Sequence, residues 1–192
     1  MKINAGYVIS GLAVVILGLA FFTPLGKQFS FKVNDLTLTG ASTELPDKFY
    51  NLNDESMNVE LKGYNGTADA NLTDFRGKVV FLNFWGSWCP PCVEEMPSIQ
   101  QLYEEKGDEV AIVLVTMNDK PEKFVPFLQK NNYTMPVYEA KSLLPKALMP
   151  GSFPTTFIVN KKGEVVKKEV SSKDWNSPET HQMLNKLLRE SI

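Results

Sequence analysis

Short apolar runs, each closed by polar or turn-forming residues, are the clearest pattern along the chain. Residues 79–85 are apolar apart from Asn83, and residues 110–115 are apolar throughout. Runs of this length are typical of strands, and an uninterrupted apolar run indicates a strand buried on both faces of a sheet. Residues 155–159, two threonines followed by three apolar residues, form a further strand pattern, and a Lys-Gly turn joins it to residues 165–170. The pattern therefore predicts buried central strands and a hairpin close to the C-terminus.

Helical patterns alternate with these strands. One resumes at residues 93–96, directly after the first strand, and the last begins with Ser177 as N-cap and Pro178 as the first helical residue. Between them, residues 117–150 contain a helix capped by Asp119 and a short strand. Strands that alternate with helices and end in a hairpin predict an α/β fold with a mixed central sheet flanked by helices, in which residues 117–150 are a βα insertion.

The segment before the first buried strand divides into two parts. Residues 28–57 are mixed and aperiodic, and we expect them to form a tether. After them, an Asn65-Gly66 pair predicts a small N-terminal hairpin, because this pair suits a tight turn. We therefore expect one folded domain over residues 58–192.

The N-terminus has a different pattern. Residues 5–22 are uncharged and almost wholly apolar, and Lys2 precedes them. As a helix this run is about 27 Å long, close to the thickness of the hydrocarbon core of a bilayer. It predicts a signal-anchor within residues 1–27 that holds the chain in the cell membrane by a single span, with the domain on the extracytoplasmic side. A cleaved signal peptide is the alternative, because residues 18–20 supply small side chains at a cleavage position.

Composition narrows the classes of function. The chain has 20 Lys and Arg residues against 22 Asp and Glu residues, so no basic surplus indicates nucleic-acid binding. It contains 2 cysteines and 1 histidine, His181. So few thiol and imidazole groups argue against a disulfide framework and against a four-cysteine zinc site.

The two cysteines lie in the sequence Trp-Cys-Pro-Pro-Cys at residues 88–92, directly after the first buried strand. A pair at this spacing can close and reopen as a disulfide, and its loop is too short to stabilise the fold much. Cys89 is expected at an exposed helix N-terminus, where unpaired N–H groups and the helix dipole lower the pKa of a thiol. Cys92, one turn further, is expected to be shielded and to react second. For this spacing alone, a structural disulfide or half of a metal site is the alternative.

Five motifs occur in order between residues 72 and 188. They are Leu-Thr-Asp-Phe-Arg-Gly-Lys at 72–78, Asn-Phe-Trp-Gly-Ser-Trp-Cys-Pro-Pro-Cys at 83–92, Glu-Met-Pro at 95–97, Phe-Pro-Thr-Thr-Phe-Ile-Val at 153–159 and Asn-Lys-Lys-Gly at 160–163. In this combination they resemble the membrane-anchored, thioredoxin-like thiol-disulfide oxidoreductases of the TlpA/ResA type. The resemblance implies a thioredoxin-like fold and a redox-active Cys89–Cys92 disulfide that works without a metal or another cofactor.

The resemblance also implies roles for individual residues. Thioredoxin has a buried aspartate where this chain has Asn83, which cannot exchange a proton, so the acidic position of the family, Glu95, is expected to help Cys92 lose its proton. A charge that only complements the helix dipole is the alternative for Glu95. The Phe153-Pro154 bond is expected to be cis and to lie against the cysteine pair, where an extended peptide can pair with Phe153. The expected catalytic residues are Cys89, Cys92 and Glu95, and the expected substrate-binding residues are Trp88, Pro90, Pro91, Phe153 and Pro154.

The implied activity is thiol-disulfide exchange. The resemblance favours a reductant of disulfides in envelope proteins, including those of cytochrome c maturation, which an upstream membrane thiol reductant would reduce again. A disulfide-donating oxidase and a non-catalytic CxxC module that binds a metal or a partner are the alternatives. The motif does not determine the direction, because reduction potentials within this fold range from about −270 to about −120 mV.

Overall fold

The computed structural model describes residues 50–191, which form an eight-stranded mixed sheet and four α-helices. The strands are β1 (Tyr50–Asn51), β2 (Glu60–Tyr64), β3 (Ala70–Asn71), β4 (Val79–Trp85), β5 (Val110–Thr116), β6 (Val137–Ala140), β7 (Thr155–Val159) and β8 (Glu164–Glu169). The helices are α1 (Asp54–Met57), α2 (Pro90–Lys106), α3 (Pro121–Lys130) and α4 (Pro178–Arg189), and two 3-10 turns cover Leu72–Phe75 and Lys146–Leu148. The strand order is β1-β8-β7-β4-β5-β6-β2-β3.

The strand that leads into the cysteine pair lies at the centre of the sheet. β4 runs parallel to β5, with Trp85 opposite Thr116, and antiparallel to β7, with Asn83 opposite Thr156. All three strands are buried along nearly their whole length. The predicted buried strands and the C-terminal hairpin, β7–β8, are confirmed.

Alternate side chains of the central strands enter two apolar cores, as the two-residue period of a strand requires. Phe81 and Trp85 of β4 belong to a core that side chains of α2, α3 and α4 complete. Leu82 and Phe84 belong to the core of the opposite face, which α1 and the 3-10 turns cover, with Leu148 buried among them. The sheet is therefore flanked by two unequal layers, with the three long helices on one face.

Helix α2 begins at the cysteine pair. Cys89 is its N-cap, and Pro90 and Pro91 occupy the first positions, where a missing N–H breaks no helical hydrogen bond. The helix continues through Pro97 to its end at Lys106. Three fully buried side chains, Met96, Ile99 and Leu102, fix it on the sheet.

The folded domain begins earlier than expected. β1 pairs with β8, so residues 50–57 belong to the sheet and its cover, and the expected start of the domain at residue 58 is corrected. The expected hairpin is present as β2–β3, and Asn65 and Gly66 in its connection have positive φ angles of 59° and 82°. In the described part of the chain, no helix has the length and apolar character needed to cross a membrane. The expected anchor at residues 5–22 lies outside the described residues.

Helix α3 does not use the predicted cap. Its N-cap is Lys120, which makes no capping hydrogen bond through its side chain. The Asp119 carboxylate instead accepts hydrogen bonds from the backbone N–H groups of Lys120 and Ser87. The prediction that Asp119 caps this helix is therefore wrong, because the turn before the cysteine pair takes up its carboxylate.

Candidate active site

The turn between β4 and α2 is held by the segment that follows β5. Because β4 and β5 are parallel, their C-terminal ends lie side by side at one edge of the sheet. There the Met117 N–H donates to Trp85 O over 2.8 Å, and the Ser87 N–H donates to Asp119 Oδ2 over 2.6 Å. These contacts place Cys89 just beyond the C-terminal end of β4, at the start of α2.

Cys89 and Cys92 form a disulfide in the first turn of α2, with Cα atoms 5.3 Å apart. Because Pro90 and Pro91 have no N–H, the Cys92 N–H is the first backbone donor inside the helix, and it points at Cys89 Sγ over 3.4 Å. The positive end of the helix dipole lies at the same sulfur. Once the disulfide is reduced, both effects favour a thiolate over a thiol at Cys89.

Cys89 is less exposed than expected. Only 4% of its surface is accessible, and Cys92 has no accessible surface. Both residues belong to the core beneath the long helices, and Phe153 packs against that core. The exposed part of the motif consists of Trp88 and residues 90–91. The expected exposure of Cys89 is therefore wrong for the disulfide form, because its sulfur is bonded to the fully buried Cys92.

Trp88 and Phe153 form an aromatic surface beside the disulfide. Their rings meet edge to face with centroids 5.5 Å apart, and Trp88 Nε1 donates to Met117 O over 3.0 Å. A Cβ atom at Gly86 would lie 2.4 Å from Trp88 Nε1, so this position of the indole requires a glycine. The Phe153–Pro154 bond is cis, as the resemblance implies, and Pro154 is buried. Trp88 itself is 48% exposed.

Glu95 lies one turn after Cys92 on α2, and only 2% of its surface is accessible. Its Oε1 accepts a hydrogen bond from Asn83 Nδ2 over 2.9 Å. Its Oε2 accepts hydrogen bonds from Trp175 Nε1 over 2.8 Å and from the Lys173 N–H over 3.3 Å. Burial raises the pKa of the Glu95 carboxyl to about 7, although the three hydrogen bonds act in the opposite direction. A group with a pKa near neutrality can accept and release protons at physiological pH.

The partners of Glu95 were not predicted from the sequence. Trp175 and Lys173 lie 80 and 78 residues beyond it, in the segment before α4, and no spacing rule connects them. Thr156 on β7 accepts a second hydrogen bond from the Asn83 amide over 2.8 Å. The only general signal is that a buried tryptophan needs an acceptor for its N–H, and this does not say which acceptor.

A cleft of about 390 Å³ joins Glu95 to the surface. It lies between α2 and the segment after β8, and its walls include Pro97, Gln101 and residues 172–174. Neither cysteine lines the cleft. Protons can therefore pass between the Glu95 carboxyl and solvent without crossing the disulfide.

Within residues 50–191, no group of three or more His, Cys, Asp or Glu side chains is placed to hold a metal ion. His181 lies on α4, as expected from its position near the C-terminus. Its Nε2 is 2.7 Å from Asn176 Oδ1 and 3.6 Å from Glu105 Oε2. The histidine is thus engaged with these two side chains.

The fold and the disulfide at the start of α2 define a thioredoxin-like protein. Residues 51–187 match the Redoxin family, and the chain belongs to that family. The expected fold and the resemblance to ResA-type proteins are confirmed by three comparisons.

The chain is 39% identical over 109 residues to the thiol-disulfide oxidoreductase ResA of Geobacillus kaustophilus (strain HTA426), covering 56% of this chain and 60% of that protein. It is 36% identical over 114 residues to the thioredoxin-like protein YneN of Bacillus subtilis (strain 168), covering 58% of this chain and 66% of that protein. It is also similar to the crystal structure of a Chlorobium tepidum protein described as a thiol:disulfide interchange protein, DsbE. That structure has a TM-score of 0.61 and 25% identity, covering 74% of this chain and 98% of the other. The aligned regions span less than two thirds of the length of the two sequence relatives.

Proposed function

We propose that this chain is a thiol-disulfide oxidoreductase that reduces disulfide bonds in other proteins, with Cys89 as the attacking thiol and Cys92 as the resolving thiol. The main support is the arrangement of the Cys89–Cys92 disulfide at the N-terminus of α2, with the buried Glu95 carboxyl one turn further along the same helix. Its similarity to the ResA of Geobacillus kaustophilus supports the same class of reaction.

The reduced protein begins the reaction. The Cys89 thiolate, stabilised by the Cys92 N–H and the helix dipole, attacks one sulfur of a partner's disulfide. The second sulfur of that disulfide leaves as a thiolate and takes a proton from water. The product is a mixed disulfide between Cys89 and the partner.

Resolution of the mixed disulfide uses the second cysteine and the buried carboxyl. Glu95 accepts the proton of the Cys92 thiol, and the Cys92 thiolate attacks Cys89 Sγ. The remaining partner sulfur leaves as a thiolate and is protonated. The partner has then gained two electrons and two protons, and the Cys89–Cys92 disulfide has formed. Glu95 passes its proton to solvent through the cleft beside α2.

The partner binds at the exposed aromatic surface. Trp88, packed on Phe153, provides apolar contact area, and the exposed residues 90–91 extend this area along the start of α2. An extended peptide that approaches the cis Phe153–Pro154 bond can pair with the backbone of Phe153 as an added strand. This mode of binding relies on backbone hydrogen bonds and therefore accepts many sequences.

Location and partners complete the proposal. The apolar run at residues 5–22 anchors the chain in the cell membrane and places the domain on the extracytoplasmic side. The substrates are disulfide-containing envelope proteins, including apocytochrome c, and an upstream membrane thiol reductant reduces the Cys89–Cys92 pair after each cycle. The reaction needs no cofactor beyond this cysteine pair.

Two serine variants test the assignment of the cysteines. We expect Cys89→Ser to abolish the reduction of insulin disulfides, because the attacking thiolate at the N-cap of α2 is lost and the remaining Cys92 has no accessible surface. We expect Cys92→Ser to accumulate mixed disulfides with its targets, because the resolving thiol is absent. Non-reducing gels measure this accumulation, and a variant with both changes is the control that traps nothing. Equal trapping by both single variants would contradict the assignment.

The direction of the reaction is tested by the reduction potential of the full-length chain. A value near −270 mV supports a reductant, and a value near −120 mV supports the disulfide-donating alternative. Titration of the reduced protein with zinc tests the alternative of a CxxC binding module. Tight zinc binding without insulin reduction would contradict the proposed function.

A further inference from the structure

The polar contacts of the Glu95 carboxylate are three hydrogen-bond donors. The Trp175 indole N–H and the Lys173 backbone N–H can only donate, and Asn83 uses the donor end of its side chain. Donors stabilise an ionised carboxylate, whereas burial stabilises the protonated form. The surroundings of Glu95 therefore combine two opposing effects on one group.

Two of these donors come from one short segment, residues 172–176. Ser98 fastens this segment to α2, because its hydroxyl accepts from the Trp175 N–H over 3.0 Å and donates to Glu95 O over 2.7 Å. The Trp175 ring is fully buried and meets Phe81 edge to face, with centroids 4.9 Å apart. The indole N–H therefore cannot turn away from Glu95 Oε2 without disturbing the core.

We propose that Trp175 is a positioning residue for the reaction, whose indole N–H holds Glu95 Oε2 in place and keeps the carboxyl available as the proton acceptor of Cys92. This inference rests on the proposed function. Loss of the indole donor leaves the effect of burial less opposed, so the pKa of Glu95 rises further above its present value. A smaller fraction of the molecules then has an ionised Glu95 at neutral pH. Because only the ionised carboxylate can accept the proton of Cys92, resolution of the mixed disulfide becomes slower.

Other charged or titratable groups also face the carboxyl or lie beside it. Glu169 on β8 raises the pKa of Glu95 through its negative charge. The Lys173 ammonium lies 3.3 Å from Glu179, and two further carboxylates line the same cleft as Glu95. These groups are Glu94, Glu169, Lys173, Asp174 and Glu179, together with Lys167, which lies within 4.0 Å of both Glu169 and Glu179, and the Cys92 thiol of the reduced protein. The Lys173 ammonium lies 5.8 Å from the centroid of the Trp175 ring, and a change to phenylalanine keeps an aromatic ring beside it while removing the N–H.

The first test uses the full-length chain with Trp175 unchanged. The chain has 3 tryptophans, so its indole N–H groups give three signals in a nitrogen-proton NMR spectrum. We expect the Trp175 signal to titrate at a pH of about 7, and to lose this response in Glu95→Gln. Within the described residues Trp85 Nε1 has no hydrogen-bond partner, so its signal serves as the internal control. A Trp175 signal whose chemical shift does not change as Glu95 ionises would overturn the proposal.

The second test compares two matched variants. Trp175→Phe keeps an aromatic ring but removes the N–H. We expect the pKa of Glu95 to rise by about one pH unit, and carboxyl carbon NMR measures this change. The pH profile of mixed-disulfide resolution should move upward by the same amount, with the first attack by Cys89 unchanged. Trp85→Phe also removes a buried indole N–H, and we expect it to leave the titration of Glu95 as in the wild type.

The outcomes separate this inference from the proposed function. An unchanged titration of Glu95 in Trp175→Phe, or equal shifts in the two variants, overturns the positioning role while insulin reduction by the wild type still stands. A wild type that reduces no disulfides overturns the proposed function, even where the titration of Glu95 follows the change at Trp175.

Discussion

Burial of the Glu95 carboxyl has a measurable consequence for stability. In the unfolded chain its pKa is near 4.5, and in the folded protein burial raises the pKa to about 7. Between these values the folded state keeps a proton that the unfolded state has lost. The stability contributed by protonated Glu95 is therefore fully present below about pH 4.5 and is lost as the pH rises through about 7.

We expect the wild type to lose about 3 kcal/mol of unfolding free energy relative to Glu95→Gln between about pH 4 and about pH 8. Urea unfolding of the oxidised proteins at a series of pH values measures this difference. Glu94→Gln, which removes an exposed carboxyl from the same helix, controls for the loss of one negative charge. Parallel stability profiles for the wild type and Glu95→Gln would contradict the burial argument.

Single residues differ in how far the sequence reveals them. Cys89 and Cys92 were predictable because their spacing is local and their helix follows directly from the strand before it. Glu95 was predictable only through resemblance. Trp175 was not, because its contact with Glu95 joins positions 80 residues apart and exists only after the segment before α4 has packed on α2.

At the scale of elements, the turn before α2 depends on the segment after β5. The Asp119 carboxylate accepts hydrogen bonds from the N–H groups of Ser87 and Lys120 at 2.6 and 2.9 Å. It thereby joins the segments that follow two parallel strands. The indole of Trp88 lies beside this contact and donates a hydrogen bond to Met117 O. The position of the aromatic surface thus depends on a neighbouring connection and not on α2 alone.

We expect Asp119→Ala to lower the free energy of unfolding by about 1–3 kcal/mol, because two backbone donors lose an ionised acceptor. Near-ultraviolet circular dichroism should also change, as the turn that carries Trp88 loosens. Asp108→Ala, at an exposed turn before β5, is the matched control. Urea unfolding of the two variants makes the comparison, and an equal loss in both would show that Asp119 does not hold the turn.

Elements with strong local patterns were predicted well, and elements that exist through pairing were not. The apolar runs of β4 and β5, the strand pattern of β7 and the N-cap of α4 are recognisable in the sequence alone. β1 has two residues and is a strand only because β8 lies beside it, so residues 50–57 resemble a tether in the sequence. Asp119 has the spacing of a helix cap, but the donor at Ser87 competes for its carboxylate.

At the scale of the whole molecule, the reactive groups converge at one edge of the sheet. The parallel strands β4 and β5 end there, and the antiparallel β7 starts there, with Thr155 opposite Phe84. Segments far apart in sequence therefore supply the cysteine pair, the support at Met117 and the cis bond before Pro154. A single sheet therefore brings the cysteine pair and the aromatic side chains of Trp88 and Phe153 together at one surface.

The last prediction concerns where this surface faces. If residues 5–22 anchor the chain, the full-length protein should stay in the membrane fraction after carbonate extraction, because about 18 apolar residues can span the hydrocarbon core. Protease added to cells whose outer envelope has been opened, but whose cytoplasmic membrane is intact, should digest the domain. A variant that lacks residues 1–27 should be released from the membrane and still reduce insulin, since residues 50–191 contain the whole candidate site. A soluble mature protein that begins near Phe21 would instead show that the run is a cleaved signal peptide.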